Sequence, residues 1–224
     1  MKQYGLFDII GPRMTGPSSS HTAGAARLGG IAYQLAGCSV DRARITLYGS
    51  FATTGKGHGT DRAVAAGLLG MKPDDRRLRD SLEIAAREGK QFEVVWSDEE
   101  AAHPNTARIE METAGGRRID MVGASVGGGS IEVQQINGME VSFACEYPTT
   151  LIFHQDLPGM ITKVTSVFAR AGINIAFMRV FRSSKRQTAC MVIETDEQPN
   201  DRVLEEIRAI GPGIQEVYRF EVFF

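Results

Sequence analysis

The chain is poor in cysteine, and its few cysteines are badly spaced for chemistry. Its 224 residues include 3 cysteines, Cys38, Cys145 and Cys190, and no Cys-x-x-Cys pair. An odd number of distant cysteines argues against a disulfide framework and against a self-contained zinc or iron–sulfur site. We expect buried structural thiols instead. Any metal or cluster that this protein uses would then need ligands from another chain.

A strong net charge and long apolar runs are also missing. The formal net charge is −2 at pH 7, which provides no broad attraction to nucleic acid or to an anionic membrane. No apolar run approaches the length of a membrane span, and residues 1–10 lack the apolar segment of a signal peptide. With 42% hydrophobic and 23% charged residues, the composition is that of an ordinary globular protein. A cytoplasmic location is the expectation.

A run of hydroxyls with one imidazole precedes the first helical repeat, in the segment Gly16-Pro17-Ser18-Ser19-Ser20-His21-Thr22. Apolar residues at helical spacing follow it, and we predict a helix over about 21–36 that ends at Gly37. Serine and threonine cap helices, so the hydroxyls and His21 should lie at its N-terminus. Free backbone N–H groups at that position favour an anion such as a carboxylate or phosphate. The plainer alternative is an ordinary cap beside a surface histidine.

A second polar segment follows the strand predicted over 44–48. Residues 49–61 are rich in glycine, and we predict a loop there before a helix over 62–69. His58 has glycine on both sides, so little bulk shields it, and its pKa suits a general acid or base. Lys56 could hold a carboxylate. His103, in His103-Pro104-Asn105-Thr106, could be a third member of the site. The alternative for His58 is an exposed loop histidine, and for His103 an ordinary turn residue.

Two well-known motifs fail at these segments. A phosphate-binding P-loop needs four residues between its first glycine and Gly-Lys, whereas five separate Gly49 from Gly55. A nucleophile elbow needs glycine where Ser20 stands. A nucleotide-binding loop and a complete serine hydrolase in one chain are therefore both disfavoured.

The remaining pattern predicts an α+β protein of two domains, 1–146 and 147–224. The first domain has helices and an antiparallel sheet, including a hairpin at Asn137-Gly138 and a short strand or helical turn within 1–15. An amphipathic helix over 74–88 is expected to precede a strand over 91–97. The second domain follows the order βαββαβ, which is typical of a ferredoxin-like unit.

Three motifs in order carry a family resemblance: GPSSSHT at 16–22, LYGSFATTGKGHGTD at 47–61 and HPNT at 103–106. The first 145 residues resemble the beta subunit of iron–sulfur-dependent L-serine dehydratase (L-serine ammonia-lyase). The resemblance implies a domain similar to the allosteric substrate-binding domain of some phosphoglycerate dehydrogenases. It also implies a cysteine-rich alpha subunit that holds a [4Fe–4S] cluster, with no cluster ligand in this chain.

The resemblance and the chemistry together assign site residues as expectations. His58 would take the Cα proton of serine, and His21 would assist catalysis and bind substrate. Further substrate-binding candidates are hydroxyls and one amine at the subunit interface: Ser18, Ser19, Ser20, Thr22, Lys56 and Thr60. The products would be pyruvate and ammonia.

Residues 148–224 resemble an ACT domain, a small-molecule-sensing module. Asp156-x-Pro158-Gly159 and Gly172-Ile173-Asn174-Ile175 stand where that family has its ligand-facing loop. The resemblance implies effector binding by Asp156, Gly159 and Asn174, and self-association through ACT domains. An alternative of a different class is an amino-acid sensor without any catalytic role.

Overall fold

The computed structural model describes residues 13–37 and 39–222. The chain divides into two compact units, Met1–Gly138 and Met139–Phe224. The domain limits 1–146 and 147–224 stay a prediction. Residues 1–12, most of the segment for which a strand or helical turn is predicted, lie outside the described residues, as does the thiol of Cys38.

The helices of the first unit begin with a π-helical turn, Ser19–Gly24, which continues into an α-helix. The helices are α1 (Ala25–Leu35), α2 (Gly49–His58), α3 (Thr60–Leu68) and α4 (Ser81–Arg87), the last preceded by a 3-10 turn, Arg76–Asp80. Gly37 follows α1 with φ 73°, which agrees with the predicted glycine stop.

Six strands form the first sheet in the order β2-β1-β3-β4-β5-β6. They are β1 (Arg42–Leu47), β2 (Gln91–Trp96), β3 (Thr106–Glu112), β4 (Arg118–Gly127), β5 (Ser130–Ile136) and β6 (Met139–Phe143). The prediction of an antiparallel sheet needs one correction, because β1 and β2 pair in parallel. A parallel pair needs a long crossover connection, and α2, α3 and α4 provide one here.

Close contact between α1 and α3 builds the core of the first unit. A Cβ added to Gly29 would lie 2.1 Å from the Val64 carbonyl oxygen, and one added to Gly67 would lie 2.1 Å from that of Ala26. The two helix backbones can therefore touch only because these positions have no side chain. Fully buried aliphatic residues such as Leu28 and Ile45 complete the packing.

The segment 49–58 differs from its prediction, since the expected glycine-rich loop is the helix α2. Glycine in a helix interior costs about 1 kcal/mol relative to alanine, which is why this segment resembles a loop. The helix begins because Gly49 adopts φ 54° and Phe51 N–H donates to the Pro104 carbonyl at 3.2 Å. Gly59, with φ 67°, separates α2 from α3.

The second unit contains the predicted βαββαβ order. Besides β6, its elements are β7 (Thr149–Gln155), α5 (Met160–Arg170), β8 (Ile175–Arg182), β9 (Thr188–Thr195), α6 (Asp201–Arg208) and β10 (Ile214–Phe220). The strand order is β10-β7-β9-β8, with every pair antiparallel. Buried residues of both helices, including Val164, Phe168 and Ile207, cover one face of this sheet. The α+β fold class is confirmed.

Within the described ranges, no helix is both long and apolar enough to cross a membrane.

Candidate active site

The π-helical turn presents the hydroxyl-rich segment. Ser18 is its N-cap, as predicted, and its hydroxyl accepts the backbone N–H of His21 at 3.1 Å. Ser18, Ser19, Ser20 and His21 are half-buried. Gly24 ends the turn so close to β4 that an added Cβ would lie 2.1 Å from Ser125 Oγ. This contact holds the turn against the sheet and leaves its first residues accessible.

Helix α2 brings three polar side chains to the same turn. Ser50, Thr54 and His58 are four residues apart, so they share one helix face. The ring centroids of His21 and His58 are 4.9 Å apart, with an angle of 52° between the rings. Thr22 Oγ1 donates to the His58 carbonyl at 3.3 Å. The structure therefore unites the two predicted catalytic histidines, which are distant in sequence.

Hydroxyl groups surround one nitrogen of His21. Its Nε2 lies 3.1 Å from Ser50 Oγ, 3.0 Å from Thr54 Oγ1 and 3.4 Å from the Ser50 carbonyl oxygen. The ring of Phe51 meets the His21 ring edge-on, with centroids 5.2 Å apart. Burial lowers the pKa of His21; the Ser50 carbonyl opposes this shift, and the neighbouring His58 adds to it. The lowered pKa favours the neutral form of His21.

His58 has unused hydrogen-bonding capacity. Its Nδ1 is buried and has no hydrogen-bond partner, and Thr60 Oγ1, two residues later, is in the same condition. Buried polar atoms in proteins nearly always have partners, so an unpaired ring nitrogen beside a second histidine needs an explanation. A substrate or water at this point would provide one.

Two predicted residues lie elsewhere in the first unit. Lys56 is exposed on another face of α2, and its Nζ lies 5.3 Å from the centroid of the Trp96 ring. His103 Nδ1 accepts the backbone N–H of Asn105 at 3.1 Å within its own turn. That turn supports the start of α2 through Pro104, so His103 is a structural residue here. The role of Lys56 stays a prediction.

Sequence reasoning missed Ser50, Thr54 and Phe51. The signal was present in the spacing 50, 54, 58, but it has meaning only if the segment is a helix. Because glycines predicted a loop, the shared face of these residues could not be recognised.

The effector candidates of the second unit are engaged within their own chain. Asp156 Oδ2 accepts the Arg186 N–H at 3.0 Å and lies 3.6 Å from Arg182 Nη1. Asn174 donates to Asp196 Oδ2 at 2.7 Å. Gly159, with φ 83°, is the N-cap of α5. Their role in effector binding stays a prediction.

The cysteines of the described residues do not fit a cluster. Cys145 and Cys190 are free and buried in the second unit. Burial raises the pKa of the Cys145 thiol strongly and that of Cys190 to about 12, so neither is a thiolate at neutral pH. Where the structure describes the chain, no group of three histidine, cysteine or acidic residues could hold a metal ion.

The structure defines the class of protein: an α+β chain in which a unit with a mixed sheet and paired histidines precedes a βαββαβ unit. A family model for the serine dehydratase beta chain matches residues 5–87, and one for the ACT domain matches 149–212. The protein named "Probable L-serine dehydratase, beta chain" from Bacillus subtilis is 42% identical over 96% of this chain and 97% of its own length. The chain belongs to the serine dehydratase beta-chain family.

Two further relatives extend this result. The L-serine dehydratase beta chain of Peptoniphilus asaccharolyticus is 34% identical over 88% of this chain and 89% of its own. A D-3-phosphoglycerate dehydrogenase of Methanocaldococcus jannaschii is 30% identical over 86% of this chain, but over only 36% of its own length. This pattern of two units thus also occurs within a longer enzyme.

Proposed function

We propose that this chain is the beta subunit of a two-subunit L-serine ammonia-lyase, which converts L-serine to pyruvate and ammonia. The observation that carries the proposal is the histidine pair, 4.9 Å between ring centroids, with the buried Nδ1 of His58 left without a partner. The two beta-chain relatives, both named L-serine dehydratases, support L-serine as the substrate.

His58 is the proposed base for the Cα proton of serine. Elimination of water needs a group that accepts this proton and a group that assists the departing hydroxyl. His58 is half-buried and adjoins Gly57, where an added Cβ would meet nothing within 4 Å, so a substrate can approach it closely. His21, neutral and hydrogen-bonded through Nε2, is the proposed second group.

The hydroxyl-rich turn is the proposed site for the charged ends of serine. The half-buried Ser18, Ser19 and Ser20 can donate to the substrate carboxylate or accept from its ammonium. Thr22 and Thr60 are buried, and Thr22 Oγ1 donates to the His58 carbonyl, so we assign both to the inner wall of the pocket. Lys56 would assist only if it left Trp96.

The proposal requires a partner alpha subunit with the [4Fe–4S] cluster. Such a cluster supplies Lewis-acid chemistry at an open iron position. The beta-chain family implies an alpha chain; its richness in cysteine, self-association through the ACT unit and a cytoplasmic location belong to the same proposal. A binding equilibrium between separately purified chains, read by ultracentrifugation, would test the assembly.

The decisive experiment replaces His58 by alanine in the assembled enzyme. We expect turnover to fall by about 10²- to 10⁴-fold, because general-base catalysis contributes that much. Cluster colour and assembly should be unchanged. A His21→Ala variant should raise KM for serine, because His21 also binds substrate, and lower kcat, because His21 is the second catalytic group. Near-normal turnover of the His58→Ala enzyme would remove His58 from the base role and favour the non-catalytic amino-acid sensor.

The ACT unit is the proposed effector site. Asn174 and the backbone near Asp156 and Gly159 would hold an amino acid, once the hydrogen bond from Asn174 to Asp196 opens. Calorimetry of the full chain with L-serine should show a binding event that Asn174→Ala weakens. An unchanged heat and affinity of L-serine binding in the variant would show that Asn174 does not contact the bound amino acid.

A further inference from the structure

The two hydroxyls beside His21 form a closed triangle with its ring nitrogen. Ser50 Oγ and Thr54 Oγ1 lie 3.1 and 3.0 Å from His21 Nε2, and the two oxygens are 3.3 Å apart. Thr54 is exposed, whereas His21 and Ser50 are half-buried. An unbroken set of exchangeable protons therefore leads from the histidine pair to the protein surface.

This triangle accommodates both states of the Nε2 atom. When Nε2 carries a proton, it can donate to Thr54 Oγ1, whose own hydrogen is directed to the Ser50 carbonyl at 2.9 Å. When Nε2 lacks a proton, the Ser50 hydroxyl can rotate and donate to it, because a hydroxyl both donates and accepts. Neither state leaves the nitrogen unpaired. Conversion between the states needs only hydroxyl rotation and one proton transfer.

The Nδ1 atom of His58 has no comparable hydroxyl contact. The Nδ1 of His58 is buried and unpaired, and Thr22 contacts only its backbone carbonyl. Phe51 covers one edge of the His21 ring and blocks that direction to water. The hydroxyls of Ser50 and Thr54 therefore offer His21 Nε2 a hydrogen-bonded route for proton exchange.

We propose that Ser50 and Thr54 form a proton relay between His21 and solvent, an assignment that rests on the proposed function of the histidine pair. In one transfer, His21 in its imidazolium form gives its Nε2 proton to Thr54 Oγ1 while the Thr54 hydroxyl, rotated away from the Ser50 carbonyl, releases its own proton to water, which leaves neutral His21 and a hydronium ion. The reverse transfer reprotonates His21. Bonds and charges balance, and no co-reactant besides water is needed.

The competing role of these hydroxyls is orientation of the His21 ring. Thr54→Val helps to distinguish the relay role from the orienting role, because valine retains the shape of threonine and removes the hydroxyl. Thr54→Ser retains the hydroxyl. Thr53 is a matched control, since it is exposed on the same helix and its hydroxyl donates to the Gly49 carbonyl at 3.1 Å.

The test measures kcat, KM and their pH dependence for the complex of this chain with its alpha subunit. In Thr54→Val we expect kcat to fall by about 10- to 100-fold, within the range of general acid–base effects, with little change in KM. Added imidazole buffer should restore part of the loss, Thr54→Ser should recover most of it, and Thr53→Val should resemble the parent. A normal kcat in Thr54→Val, or a loss that buffer does not relieve, would overturn the relay.

A second measurement needs no catalytic activity. Exchange of the His21 Nε2 proton with water can be followed by NMR in the full chain, and Thr54→Val should slow it by about 10-fold while Thr54→Ser should not. Equal exchange rates would refute the relay. If His58→Ala keeps its turnover while this exchange still depends on Thr54, the relay stands and the proposed function of the pair fails.

Discussion

In each unit, a strand is followed by a glycine with positive φ at the start of a helix. The two helices are stabilised in different ways. Gly49 (φ 54°) opens α2 after β1, and Gly159 (φ 83°) caps α5 after β7. Helix α5 buries four of its own side chains, Met160, Val164, Val167 and Phe168. Helix α2 buries only Phe51 and Gly55.

Helix α2 is instead supported by neighbours. Pro104 accepts the N–H of Phe51 and packs on Gly49, and Trp96 lies against Gly55 and Lys56. Because support comes from outside, one face of α2 remains free for Ser50, Thr54 and His58. A helix with an apolar stripe like that of α5 has to pack that stripe against a core, which leaves less of its surface for a polar site. The contrast separates a helix that stabilises its unit from one that carries chemistry.

Replacing the junction glycines should give the largest contrast. Gly159→Ala should cost about 1–2 kcal/mol, the strain of a left-handed alanine, because its Cβ meets nothing within 4 Å. Gly49→Ala should have the same strain and lose about 1–3 kcal/mol more of unfolding free energy through overpacking, since its Cβ would lie 2.7 Å from the Pro104 carbonyl oxygen. Urea unfolding, followed by far-UV circular dichroism, measures both. Equal costs would show that Pro104 does not clamp α2.

Acid should affect the two units in opposite directions. The pKa of His21 is lowered, chiefly by burial, so its contribution to folding is full above pH 6.5, the usual value, and is lost as pH falls through the folded-state pKa. The pKa of Glu194 is raised by burial and by Glu146, against Arg179, so its contribution is present below pH 4.5 and is lost as pH rises through the folded-state pKa.

Urea midpoints across pH 5–8 test these signs. His21→Gln should flatten the loss of stability towards pH 5, and Glu194→Gln should stabilise the chain more at pH 8 than at pH 5. A pH-independent effect of either substitution would contradict the assigned environment of that residue.

Gly57→Ala should have the smallest effect and a stabilising one. Its Cβ would meet nothing within 4 Å and its φ is not positive, so alanine should raise stability by about 0.5–1 kcal/mol. Gly55→Ala on the same helix is the control, because its Cβ would lie 2.9 Å from Trp96. Thermal unfolding compares the two. Destabilisation by Gly57→Ala would mean that α2 is not a regular helix at this point.

Local signals in the sequence were reliable where one interaction dominates. Ser18 caps its helix, and Asn137-Gly138 forms a turn with φ values of 49° and 79°. Period-two and helical patterns placed all six elements of the βαββαβ order, because all of them except β8 bury apolar side chains. The prediction of a loop over 49–58 was wrong, because glycines disfavour a helix and this helix is stabilised by residues that are distant in the sequence.

The candidate site was half predictable for the same reason. The sequence by itself determined that a serine caps the helical segment that carries His21, because capping acts over a few residues, whereas His58 proved to be the last residue of α2. Only the tertiary structure decided that these histidines meet, that Ser50 and Thr54 join His21, and that Lys56 lies on Trp96. Those contacts depend on how α2 is clamped by Pro104, and a contact between remote segments has no local signature in the sequence.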